Sequence, residues 1–154
     1  MFYELNEAAE LIATDLIEKH HPRLTKLKIA YLFKSKVEDP EDAEQRARIA
    51  KVKPLRDGKK FTWAKASLVS DKWRALAEDD YKFVIEFDRE VWNELTLEQQ
   101  NALVDHELCH CGNDADGCYV RQHDVEEFRC IVQRHGFWKD DVKLFAETAR
   151  SLFD

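Results

Sequence analysis

The stretch Asp105-His106-Glu107-Leu108-Cys109-His110-Cys111 sets two histidines four residues apart, with a glutamate directly after the first. On an α-helix, positions i and i+4 share a face, so His106 and His110 can turn imidazole nitrogens toward one tetrahedral metal ion. Glu107, one step along, projects beside that ion and can serve as general base toward a metal-activated water, the chemistry of H-E-x-x-H hydrolases. With six His and 16 Glu in 154 residues, chance yields about 0.02 such motifs. An accidental charged helix end is therefore the poorer reading.

A site of this type takes a third protein ligand and leaves a fourth position for water. His123 follows His110 by 13 residues across a glycine-containing turn, at the expected start of the next helix. Glu126 and Glu127 are its rivals, because a helical glutamate supplies this ligand in many zincins. Three imidazoles favour zinc over harder ions. His20, His21 and His135 read instead as solvated side chains. Cys109, Cys111 and Cys118 with a histidine offer a structural-zinc alternative, but C-x-C-x6-C is not a usual structural spacing. A cysteine on such a helix is more often a small buried residue.

The elements that must hold these groups can be read along the chain. Thr96-Leu97-Glu98-Gln99 forms a capping box, and from Thr96 onward neither Gly nor Pro occurs until Gly112, so about four turns of helix carry the motif near their end. The chain then breaks at "GNDADG". "YKFVIEF" alternates as a strand, with Tyr81, Phe83, Ile85 and Phe87 on one face, and Asp88 caps "REVWNEL". "KLKIAYLFK" is a second strand with one buried face. "KFTWAKASLV" is a third, weaker strand, and a hairpin is expected about Asp57-Gly58. "YELNEAAELIATDLIEKHH" reads as an opening amphipathic helix that uses Leu5, Ala8, Ala9, Ile12 and Leu16 and is closed by Pro22. Ser70 caps a short helix through "DKWRALAED". "DVEEFRCIVQRH" is a helix starting after His123 and ending at Gly136, and "WKDDVKLFAETARSLF" closes the chain.

Composition bounds the rest. Hydrophobic residues at 44% and charged residues at 36%, with four Gly and three Pro, fit one globular domain over residues 1–154 and exclude a disordered or repetitive chain. No apolar run approaches the roughly 20 residues of a membrane span, and the acidic N-terminus is unlike a signal peptide. A cytoplasmic protein is expected, with four cysteines kept as thiols. A net charge of −7 argues against general attraction to nucleic acid. Arg46 to Lys65 runs against that average, with eight basic residues and one acid. It reads first as a solvated basic face and second as a phosphate contact.

"LVDHELCHC", preceded by "YKFVIEF" and "VWNEL" and followed by "HDVEEF" and "HGFW", resembles the putative phage metallopeptidase family, a group related to SprT-like and YgjP-type minimal zincins. The likeness spans about residues 25 to 140. It implies an α+β fold of minimal zincin type, a small mixed sheet packed on the motif helix with flanking helices and the third ligand on a following helix. By that likeness His106, His110 and His123 hold Zn2+ and Glu107 is the catalytic base in peptide-bond hydrolysis. A sheet edge near the strand around Phe83 would hold an extended peptide or protein substrate. Tyr119, Arg121 and His135 are candidate oxyanion donors, and Asp105 and Asp124 are candidates to orient the ligand histidines. The SprT-like likeness adds nucleic-acid-associated proteolysis through Arg46–Lys65. A zinc-stabilised binding module without turnover is the alternative from another class.

Overall fold

The computed structural model describes residues 2–35 and 63–153. The hairpin expected about Asp57-Gly58 and the basic residues from Arg46 to Lys60 lie outside the described residues. The chain divides into two compact units, Met1–Arg121 and Gln122–Asp154.

The first unit is built on a four-stranded sheet of order β1-β2-β4-β3: β1 (Phe2–Leu5), β2 (Lys28–Ser35), β3 (Ala64–Leu68) and β4 (Tyr81–Asp88). β2 and β4 are central and parallel, and β1 and β3 flank them antiparallel. Being central, these two strands are covered on both faces. Ile29, Tyr31, Phe83, Ile85 and Phe87 join the main core, while Ala30, Leu32 and Val84 pack with Tyr3, Val69, Trp73, Leu76 and Tyr81 on the reverse side. The alternating pattern had implied one buried face, yet neither Val84 nor Leu32 faces solvent.

Phe2–Leu5 is a strand rather than the first turn of a helix. Its main chain is recruited by the edge of β2, from Phe2↔Ser35 to Leu5↔Leu32, and Leu5 is 71% exposed instead of facing the core. Pairing with a neighbour overrides local helical spacing here. Helix α1 (Glu7–His20) begins only after Asn6, a buried residue whose Oδ1 accepts from the Ala9 amide at 3.0 Å. Ala9 and Ala13 are fully buried and let the helix approach the sheet closely. A 3-10 turn, Pro22–Leu24, leads into β2.

Ser70 makes no side-chain cap; a 3-10 turn at Asp71–Trp73 precedes the short helix α2 (Arg74–Glu78). Asp88 does cap, accepting from the Val91 amide at 3.1 Å at the head of α3 (Arg89–Glu94). α4 (Leu97–His110) carries the motif and opens with the expected capping box. Val104 and Leu108 are fully buried in the core beneath the sheet. At about 1.5–3 kcal/mol per buried aliphatic side chain, this face anchors the helix.

"GNDADG" is more than a break. Cys111–Asp114 (β5) and Gly117–Val120 (β6) form an antiparallel hairpin. The Asp114 carboxylate accepts the Asp116 amide at 2.9 Å, and Gly117 takes φ +116° at the turn.

In the second unit, α5 covers Arg129–His135 and α6 covers Asp140–Ser151. α5 starts later than the spacing predicts. Glu127 turns its carboxylate onto the Phe128 amide at 2.9 Å and the Trp138 indole N–H at 3.1 Å, which holds residues 124–128 out of the helix. Glu126 and Glu127 are therefore not helical, and His123 does not stand at a helix start. The helix does end at Gly136, which takes φ +67°.

Candidate metal centre

His106 and His110 occupy the last turns of α4 with ring centroids 5.1 Å apart and planes at 73°. Each offers a ring nitrogen within 4.8 Å of the other's. His110 is oriented by main chain: its Nδ1 lies 2.6 Å from the Arg121 carbonyl oxygen. A carbonyl only accepts, so the proton is on Nδ1, the tautomer in which Nε2 can ligate. The Arg121 amide in turn donates to the His110 carbonyl at 2.7 Å. The β5–β6 hairpin exists to bring Arg121 back to His110. It contains one tight fit, because the Tyr119 ring lies over Gly112, where a Cβ would come within 2.4 Å of it.

Glu107 is buried, only 5% exposed, between the helix and the sheet. Its Oε2 accepts the Ala66 amide of β3 at 3.0 Å. That amide points away from β4, so the carboxylate sits at the outer edge of the sheet among the described residues. Burial raises the Glu107 carboxyl above its ordinary range, opposed by His110 and by the Ala66 hydrogen bond. A carboxylate held ready to take a proton is what a general base needs.

Three carbonyls of the last turn of α4 accept hydrogen bonds from beyond the helix ladder. Leu108 O accepts from Arg23 Nη2 at 3.0 Å, His110 O from the Arg121 amide, and Glu107 O from the Cys111 thiol at 3.6 Å. Burial first, then Glu107, pushes that thiol up to about 12, so it remains a donor. All four cysteines are thiols.

Asp105 engages a histidine, but it is His21, whose Nε2 lies 2.6 Å from Asp105 Oδ1. His21 is 5% exposed and so is no solvated side chain; it ends α1 and is folded under the motif helix. Tyr119 is on β6 and 43% exposed, and Arg121 directly follows that strand. His123, Asp124 and His135 belong to the second unit, His135 in the last turn of α5. Arg23 and His21 were not found by spacing. The only hint in the sequence is the pair of polar residues on either side of Pro22, and nothing there points 85 residues away. A cavity of about 630 Å³ between α1 and β2, lined in part by Glu10, Thr14, Ile17 and Tyr31, includes none of the motif residues.

A mixed sheet over a helix that ends in His-Glu-x-x-His, with its glutamate tied to the edge strand, defines a protein of minimal zincin-like α+β class. The chain belongs to the family described as putative phage metallopeptidase, whose model matches residues 1–149. The match extends beyond residues 25–140 and takes in β1 and α1. No curated protein and no solved structure matches. Family membership implies a metal ion, and the donor set fits one: two imidazoles on one helical face, one of them fixed in the ligating tautomer, beside a buried carboxylate. No helix among the described residues is long and apolar enough to cross a membrane.

Proposed function

We propose that this protein is a zinc-dependent peptidase in which His106, His110 and His123 hold the metal and Glu107 is the general base. The observation that carries the reading is the pairing of His110 Nδ1 with the Arg121 carbonyl, next to a buried Glu107 on the Ala66 amide. Connectivity supports His123 as third ligand. It follows Arg121 by two residues, a separation that extended chain stretches to at most about 7 Å. The Glu127 carboxylate is already committed to Phe128 and Trp138.

When bound, zinc polarises the scissile carbonyl and makes water a nucleophile near neutral pH. Glu107 takes the proton of the attacking water and passes it to the leaving nitrogen. The Ala66 amide fixes the carboxylate while this happens. Among the described residues the sheet edge beside Glu107 is β3, which pairs with the strand around Phe83, so an extended peptide would add along β3 through main-chain hydrogen bonds.

The test is zinc titration of the full chain followed by digestion of an unfolded protein such as reduced casein. Wild type and Glu107→Gln are expected to take up zinc equally, with cleavage by wild type alone. His123→Ala should weaken zinc binding where Glu127→Ala does not. Absence of zinc uptake by the wild type would remove the peptidase reading.

A further inference from the structure

Arg23 has no part in the chemistry above, yet its guanidinium meets three acceptors. Nη2 donates to Leu108 O at 3.0 Å, Nε to Cys111 O at 3.1 Å, and Nη1 lies 3.1 Å from His21 Nδ1. Its own carbonyl accepts from Asn113 Nδ2 at 3.3 Å. Leu108 and Cys111 bracket His110, and Cys111 is the residue at which α4 turns into the hairpin. The guanidinium therefore grips the hinge between the helix that presents His110 and the hairpin that returns Arg121 to orient it. A cation at a helix C-terminus also opposes the helix dipole.

The same network reaches the other side of the last turns. Arginine can only donate, so His21 Nδ1 accepts and the ring proton lies on Nε2, from which it is given to Asp105 Oδ1 at 2.6 Å. Asp105 immediately precedes His106. A bond chain thus runs from Cys111 and Leu108 through Arg23 and His21 to Asp105, enclosing both motif histidines in sequence without using their side chains. His21, Asp105 and Cys109 bring their ligand atoms within 4.8 Å of one another, a spacing a metal could use. The Nε2 proton and the adjacent guanidinium assign them to hydrogen bonding instead.

We propose that Arg23 and His21 are positioning residues of the metal centre. They fix the main chain of the last helical turns and of the hairpin, so that the His106 and His110 rings and the Arg121 carbonyl stand in register before metal arrives. The proposal rests on the metal-centre reading above. Lysine cannot serve two carbonyls and a ring nitrogen in one plane as the guanidinium fork does.

The test measures zinc affinity of the full chain by chelator competition, the visible spectrum of the cobalt(II)-loaded protein, and melting of the metal-free protein. Arg23→Lys keeps the charge at the helix end and should melt near wild type, yet bind zinc roughly 10- to 100-fold more weakly with an altered cobalt spectrum. His21→Ala should act in the same direction. His21→Gln, which keeps a donor for Asp105 and an acceptor for Arg23, should restore most of the affinity. Wild-type affinity and an unchanged cobalt spectrum in Arg23→Lys would overturn the proposal while leaving the metal centre intact. So would losses that simply follow metal-free stability and are not recovered in His21→Gln. A wild type that takes up neither ion would overturn the metal-centre reading, and this proposal with it.

Discussion

The two ends of the motif helix are secured in opposite ways. At its start, Thr96 Oγ1 accepts the Gln99 amide at 3.2 Å and Gln99 Oε1 accepts the Thr96 amide at 2.9 Å, so the cap is closed within four exposed residues. At its end the partners come from far along the chain. Arg23 lies 85 and 88 residues from the carbonyls it holds, and Arg121 returns from 11 residues downstream. A helix start needs only to exist, and local sequence can see to that. A helix end that carries ligands needs a defined position relative to the sheet and the hairpin, and only distant partners supply one.

The sharpest way to press on this contrast is to remove the packing under the functional end. Leu108 is fully buried, on the turn that carries Glu107. Leu108→Ala should cost about 2–5 kcal/mol, read by urea unfolding of the metal-free protein, and should weaken zinc binding as well. Thr96→Ala at the other end should cost about 1 kcal/mol and leave zinc affinity within about twofold. A Thr96 variant that lost metal as severely as the Leu108 variant would show the helix acting as one rigid unit whose two ends are not independent.

The same contrast explains what is legible in the sequence alone. The capping box at Thr96, the Asp88 cap, the close at Gly136 and the His-Glu-x-x-His face all rest on residues within a few positions of one another, and each is present. β1, the β5–β6 hairpin and the buried His21 depend on partners 27 to 84 residues away, or on a cross-strand fit such as Tyr119 over Gly112. Local spacing carries no trace of them. Phe2–Leu5 reads as helix until the edge of β2 is there to receive it. The five residues after His123 read as helix because nothing local shows that Glu127 spends its carboxylate on Phe128 and Trp138.

The smallest expected effect concerns Glu107, where the helix end and the sheet edge meet. Burial raises its carboxyl above the ordinary carboxylate range, against the pull of His110 and the Ala66 amide. The folded chain then holds that proton more tightly than the unfolded chain. Stability from the protonated form is fully present below the ordinary carboxylate range and is lost as pH rises through the raised value. Glutamine cannot ionise and still offers an oxygen to Ala66. Metal-free Glu107→Gln should therefore melt close to wild type at about pH 4 and above it by about pH 8, the gap opening with pH. Melting curves over that range decide the matter. A gap that stays flat would mean the ionised carboxylate is at ease at the sheet edge. A gap that widens would mean the fold gives up stability to keep a proton acceptor there, as a general base requires.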